Sequence, residues 1–80
     1  MELTPSIDVD AILSEVKTQF ERYIITDIDG IKIDFPDKWV HLRKSNTEPV
    51  IRICAEATSS MEAQALCDDL IRIIKDLSAN

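Results

Sequence analysis

The hydrophobic positions of this chain repeat with a helical period near both ends and with a period of two between them. Near the start, apolar residues recur at spacings of three and four, as one buried face of a helix requires. Either Ser6 or Asp8 is placed to cap the start of this helix. The apolar positions are Val9, Ile12, Leu13, Val16 and Phe20.

A longer apolar stripe with the same spacing follows residue 62 and predicts a second helix of about 17 residues. Ser59 and Glu62 stand just before it in the pattern of a capping box, with Ser59 as the cap and Glu62 bonding back to it. The stripe consists of Ala63, Leu66, Cys67, Leu70, Ile73, Ile74 and Leu77.

The middle of the chain has the composition and alternation of β-strands. Four stretches are predicted as strands, at residues 23–26, 31–35, 39–43 and 50–57, with Val40 and Leu42 facing the core. Asp29-Gly30 and residues 36–38 supply short turns, and short connections make neighbouring strands antiparallel. We therefore expect an α+β fold in the order α-β-β-β-β-α, a small antiparallel sheet of about four strands packed by two helices.

Length and charge restrict the function further. Eighty residues suffice for one domain spanning 1–80, with residues 1–6 expected to be a disordered or artificial start. The net charge of -6 argues against nucleic acid or a membrane as partner, because both require a basic face. With no signal peptide and no long apolar stretch, we expect a cytoplasmic protein. Cys54 and Cys67 lack zinc-ligand spacing and are expected to be thiols in or near the core.

The segment from residue 43 to residue 49, read together with Arg52, carries the chemistry. Its sequence is Arg-Lys-Ser-Asn-Thr-Glu-Pro, so three short hydrogen-bonding side chains lie between two arginines. Arginine charge and converging loop donors are what a phosphate group requires. The alternative is a polar hairpin flanked by unrelated cations. By strand alternation Arg43 and Arg52 share the polar face, so both can reach one ligand.

This segment closely resembles the phosphate-binding loop of the α-D-phosphohexomutases, which lies in the last of their four domains. Residues 29–33 and 55–57 also resemble that domain, and the resemblance runs from about Asp27 to the C-terminus. It implies a TATA-binding-protein-like α+β domain that does not bind DNA. It also implies that the substrate phosphate is bound by Arg43, Ser45, Asn46, Thr47 and Arg52.

In these enzymes a phosphoserine in another domain exchanges phosphate with a hexose phosphate, and the last domain binds the phosphate that is not transferred. The resemblance therefore implies a phosphosugar partner and missing N-terminal domains of the same chain. It also implies Mg²⁺ and a hexose 1,6-bisphosphate activator for the full-length enzyme, but no catalytic residue, metal ligand or cofactor within these 80 residues. We expect the fragment alone to be inactive.

Asn46 favours the phosphomannomutase/phosphoglucomutase branch, since glucosamine-phosphate mutases more often have glycine there. The rival hypothesis is a non-enzymatic interaction module that uses its acidic surface and helices to bind a protein. Charge reversal at Arg43 distinguishes the two, because only a phosphate clamp depends on that residue.

Several other residues are weaker candidates. Residues 27–30 are read as a hairpin turn and not as a metal loop, because Ile31 stands where a third carboxylate is needed. His41 is either a donor near the loop or, by preference, an ordinary cross-strand histidine. Lys44 is a weak ligand candidate that otherwise points to solvent. Trp39 and Tyr23 favour packing over sugar stacking.

Overall fold

The computed structural model describes residues 8–45 and 50–78 of the chain. Within these ranges two helices flank four strands, which confirms the predicted α+β class and element order. The elements are α1 (Val9–Gln19), β1 (Ile24–Thr26), β2 (Ile31–Asp34), β3 (Trp39–Lys44), β4 (Ile51–Glu56) and α2 (Ser60–Ser78).

Both helices begin at the side chains expected to cap them. Asp8 Oδ1 accepts a hydrogen bond from the Ala11 backbone N–H at 3.2 Å, and Ser59 Oγ accepts one from the Glu62 N–H at 3.1 Å. The Glu62 carboxylate accepts from the Thr58 hydroxyl at 2.5 Å, whereas the capping box predicted a bond to the Ser59 backbone. Helix α2 contains 19 residues, slightly more than predicted.

The four strands form one sheet in the order β1-β2-β3-β4, and all neighbouring strands are antiparallel. The first strand begins at Ile24, one residue later than predicted. The reason is that the Tyr23 N–H donates to the Phe20 carbonyl at 2.9 Å and so closes a turn after α1. The Tyr23 ring packs in the predicted way, 4.6 Å from the Phe35 ring centroid and 6.1 Å from that of Phe20.

One face of the sheet packs against both helices and forms a single hydrophobic core. Val40 and Leu42 are fully buried in it, as the alternation of β3 predicts. Burying these side chains against the apolar faces of α1 and α2 supplies the main stabilising free energy of such a domain. The buried residues are Ile12, Leu13, Val16, Ile31, Ile33, Val40, Leu42, Ile51, Leu66, Leu70 and Ile74.

The opposite face of the sheet lies away from the helices, and the residues that alternate with the core project from it. On β4 these residues are Arg52, Cys54 and Glu56, and all three are exposed. The expectation that Cys54 is a core or near-core thiol is therefore wrong, because β4 alternation directs its side chain outward. Cys67 is half-buried on α2, and both thiols are free. No helix in the described residues is long and apolar enough to cross a membrane.

Candidate phosphate site

Arg43 and Arg52 are directly opposite each other in the antiparallel pairing of β3 with β4. Both side chains are exposed on the face of the sheet that the helices leave uncovered. Residues paired in this way have Cβ atoms about 5 Å apart, within the span that two arginines need to hold one anion. The structure thus brings together the two cations that sequence alternation placed on one face.

The loop between β3 and β4 is closed by a backbone hydrogen bond. The Ser45 N–H donates to the Val50 carbonyl at 2.9 Å, immediately beyond the last β3 residue. This bond uses the Ser45 amide, so any hydrogen bond that Ser45 donates to a ligand must come from its hydroxyl. The predicted ligands Asn46 and Thr47 lie outside the described residues, as do Glu48 and Pro49.

A small recess lies at this end of the sheet, with a volume of about 250 Å³. It is lined by Arg43, Lys44, Ser45 and Arg52. Its lining is polar and cationic, in contrast to an apolar groove of about 580 Å³ next to α2 that includes Phe20 and Leu66. Guanidinium groups on an exposed recess suit a ligand with localised negative charge, such as a phosphate.

The Lys44 ammonium is directed away from this pair of arginines. Its Nζ lies 2.9 Å from Asp10 Oδ2 and 2.8 Å from Asp10 Oδ1, which ties the end of β3 to the first turn of α1. Strand alternation is the cause, because Lys44 leaves β3 on the helix side while Arg43 leaves on the other. The ammonium group of the sequence candidate Lys44 thus pairs with Asp10 of α1, while the residue remains exposed and lines the recess.

Residues 27–30 form the predicted turn between β1 and β2, and this turn contacts the arginine pair. The Asp29 carboxylate lies 3.5 Å from Arg43 Nε, and the Asp29 carbonyl oxygen lies 2.7 Å from His41 Nε2. From the sequence, Asp29 was assigned only to the turn, and His41 was a weak candidate for a donor near the loop. The pairing of β2 with β3 places Ile31 opposite Leu42, so Asp29-Gly30, which precede Ile31, lie beside Arg43. The alternation of these two strands was the sequence signal that could have indicated this proximity.

Two further side chains on this face have packing contacts. Trp39 is half-buried, and the Lys32 ammonium lies 5.1 Å from its ring centroid, a cation–π arrangement. No three His, Cys, Asp or Glu side chains in residues 8–45 and 50–78 are grouped so that they could hold a metal ion.

Most of this chain matches a known family. A family model described as the phosphoglucomutase/phosphomannomutase C-terminal domain matches residues 7–73. The chain belongs to this family. The resemblance drawn from the loop residues is thereby confirmed at the level of the family.

Curated relatives of this C-terminal domain are much longer proteins. A probable phosphoglucosamine mutase of Thermococcus gammatolerans is 34% identical over 68 residues, which is 85% of this chain and 15% of the relative. A phosphoglucomutase/phosphomannomutase of Thermococcus kodakarensis is 39% identical over 71 residues, which is 86% of this chain and 16% of the relative. A phosphoglucosamine/phosphogalactosamine mutase of Sulfurisphaera tokodaii is 35% identical over 77 residues, which is 94% of this chain and 17% of the relative.

The chain therefore spans about one sixth of the length of these relatives. Their names refer to mutases of several different sugar phosphates. The phosphoglucomutase/phosphomannomutase C-terminal domain is thus shared by mutases that act on different sugars.

Proposed function

We propose that this chain is the phosphate-clamp domain of a phosphohexomutase that interconverts hexose 1-phosphates and hexose 6-phosphates. The observation that carries the proposal is the cross-strand pair Arg43 and Arg52 beside the loop closed by Ser45. Two like charges directly opposite each other destabilise an antiparallel sheet unless a counter-charge lies near. A phosphate dianion supplies that charge and accepts bidentate hydrogen bonds from guanidinium groups.

In this proposal Arg43, Ser45 and Arg52 bind the substrate phosphate that is not being transferred, together with Asn46 and Thr47. Holding the distal phosphate provides binding energy that positions the reacting phosphate elsewhere. The intermediate of such a reaction carries two phosphates and must present either end to the clamp. A site that reads phosphate charge and geometry accepts both ends.

The remaining parts of the reaction belong, in this proposal, to domains outside these 80 residues. They would supply the phosphoserine, the magnesium site and the binding of the bisphosphate activator. The 80-residue chain is then inactive alone, and it acts by closing over the substrate and excluding water.

The sugar preference is proposed from a single residue. Asn46 favours glucose and mannose phosphates, while several relatives bear the name phosphoglucosamine mutase. Comparing glucosamine 6-phosphate with glucose 6-phosphate and mannose 6-phosphate tests this preference. The comparison belongs in the full-length protein, because a clamp that reads only phosphate binds all three equally.

The clamp itself is tested by titrating the isotopically labelled 80-residue chain with glucose 6-phosphate and recording amide chemical shifts, with glucose as control. We expect shifts confined to residues 43–52 and a dissociation constant of about a millimolar, because a single clamp lacks the contacts of the other domains. Arg43→Ala and Arg52→Ala should each weaken binding by about tenfold or more.

Arg72→Ala is the matched control, since Arg72 pairs with Asp69 on α2 and lies outside the recess. It should bind glucose 6-phosphate as the unaltered chain does. Unchanged shifts in an Arg43→Glu variant, or no shifts with about 50 mM ligand, would instead favour the non-enzymatic interaction module.

A further inference from the structure

The hydrogen bond between His41 and Asp29 has a defined direction. His41 lies on β3, and its Nε2 is 2.7 Å from the Asp29 backbone carbonyl oxygen. A carbonyl oxygen only accepts hydrogen bonds, so His41 Nε2 must carry the proton and donate it. The imidazole therefore anchors the β1–β2 turn to β3 on the face of the sheet that the helices leave uncovered.

The same turn holds the Arg43 guanidinium. Asp29 Oδ1 lies 3.5 Å from Arg43 Nε, at one edge of the planar group. A guanidinium also has an end-on pair of donors at Nη1 and Nη2. A contact at Nε leaves this pair pointing away from Asp29. Asp29 thus constrains the orientation of Arg43 without occupying the donors best suited to a phosphate.

Sheet order decides the direction of this constraint. Strand β3 lies between β2 and β4, with Asp29 just before β2 and Arg52 on β4. The contact with Asp29 therefore holds the Arg43 side chain on the side remote from Arg52. Arg43 and Arg52 both line the recess of about 250 Å³, which offers space for an anion.

The turn is also held at Gly30 and at Asp27. Gly30 has a φ of 90°, and a Cβ at this position would collide with the Leu42 carbonyl oxygen. On the other side of the turn, the Asp27 carboxylate accepts a hydrogen bond from Lys17 of α1 at 2.5 Å. Asp29 thus lies between Asp27, which is paired with α1, and Gly30, which is packed against β3. His41 connects Asp29 itself to β3.

We propose that His41 is a positioning residue for the phosphate clamp, acting on Arg43 through Asp29. The inference rests on the proposed function, because it assigns His41 a part in the same site. His41 does not touch the ligand. It holds the turn so that Asp29 keeps Arg43 ordered before phosphate arrives, and an ordered arginine loses less rotamer freedom on binding. Since the Asp29 charge itself disfavours an anion, its useful contribution is orientation.

The test changes His41 and leaves the charge of Asp29 in place. The labelled 80-residue chain is titrated with glucose 6-phosphate in four variants: His41→Leu, His41→Gln, Cys54→Ala and Arg43→Ala. Leucine removes the donor, while glutamine keeps an N–H₂ donor at a similar reach. Cys54 is the matched control, because it pairs with His41 across β3 and β4 but has no bond to the turn.

We expect His41→Leu to weaken binding about three- to tenfold, the range that corresponds to immobilising one arginine. His41→Gln should restore binding to within about twofold of the unaltered chain, and Cys54→Ala should leave it unchanged. The Arg43 Nε–Hε resonance should move towards that of a free arginine in His41→Leu only. If the leucine variant fails to fold, His41→Ala replaces it with the same expectations.

Binding by His41→Leu that equals that of the unaltered chain would overturn the inference, provided that Arg43→Ala still weakens binding by about tenfold or more. Equal weakening by leucine and glutamine would also overturn it, because the imidazole would then act by packing and not through its bond to Asp29. If Arg43→Ala leaves binding intact, the proposed function itself fails, so the two failures are distinguishable.

Discussion

Arg43 and Arg52 face each other across β3 and β4 on the exposed side of the sheet, with Asp29 as the carboxylate paired to Arg43. An exposed ion pair contributes little to stability. Because two arginines face a single carboxylate here, this part of the surface is locally positive although the protein has a net charge of -6. In the proposed function this excess of charge binds the ligand at some cost in stability, and substitution can measure that cost.

We predict that Arg52→Gln stabilises the ligand-free chain by about 0.2 to 1 kcal/mol at low ionic strength, because it removes the opposed like charge. The gain should shrink at about 0.5 M salt, where exposed charges are screened. Urea unfolding at the two salt concentrations measures both values. Arg72→Gln is the control and should destabilise slightly, since Arg72 has Asp69 as its partner. A loss of stability in Arg52→Gln at low salt would contradict the prediction.

Gly30 should not tolerate a side chain. Its φ of 90° is unfavourable for other residues, and an added Cβ would meet backbone atoms of Leu42 and Arg43. We predict that Gly30→Ala lowers the free energy of unfolding by about 2 to 4 kcal/mol. Chemical denaturation measures this loss. Asp37→Ala, in the exposed β2–β3 turn, should change stability by less than about 0.5 kcal/mol; similar effects of both substitutions would contradict the account.

The pair of Lys17 and Asp27 makes stability depend on pH at the acid end. The hydrogen bond and the charge of Lys17 lower the pKa of the Asp27 carboxyl below 3.8 in the folded chain. The folded-state pKa is lower than the unfolded one, so this contribution is present above the unfolded pKa. It is lost as the pH falls through the folded-state pKa.

Lys17→Met should therefore return the Asp27 pKa towards 3.8, as measured by carboxyl-carbon NMR during an acid titration. It should also flatten the acid limb of the stability profile. Lys75→Met, on the last turn of α2, serves as the control and should leave the Asp27 pKa where it is. An Asp27 pKa that is the same with and without Lys17 would be incompatible with the ion pair.

The two cysteines should differ in reactivity. Cys54 is exposed on β4, whereas Cys67 is half-buried on α2 and burial raises the pKa of its thiol. A raised pKa and restricted access both reduce the thiolate available for alkylation. We predict that iodoacetamide labels Cys54 at least about tenfold faster than Cys67, as followed by peptide mass spectrometry. A Cys54→Ser chain should retain only the slow reaction, and equal rates for the two thiols would contradict the assignment.

Much of the fold could be predicted from local patterns. The spacing of Ile12, Leu13 and Val16 predicts α1, and the alternation around Val40 and Leu42 predicts β3 with its buried side. These predictions succeed because helical and strand periods decide which side chains can share one buried face. The start of β1 was predicted one residue too early, because Tyr23 closes a turn and packs on Phe35, contacts that a local pattern does not show.

The sequence by itself determined the order of elements, the face on which Arg43 and Arg52 lie, and the family, because these follow from periodicity and from consecutive residues of one loop. Only the tertiary structure decided that Asp29 contacts both Arg43 and His41 and that Lys44 pairs with Asp10. Those contacts join residues distant in sequence, and strand pairing and helix packing alone bring them within hydrogen-bonding distance.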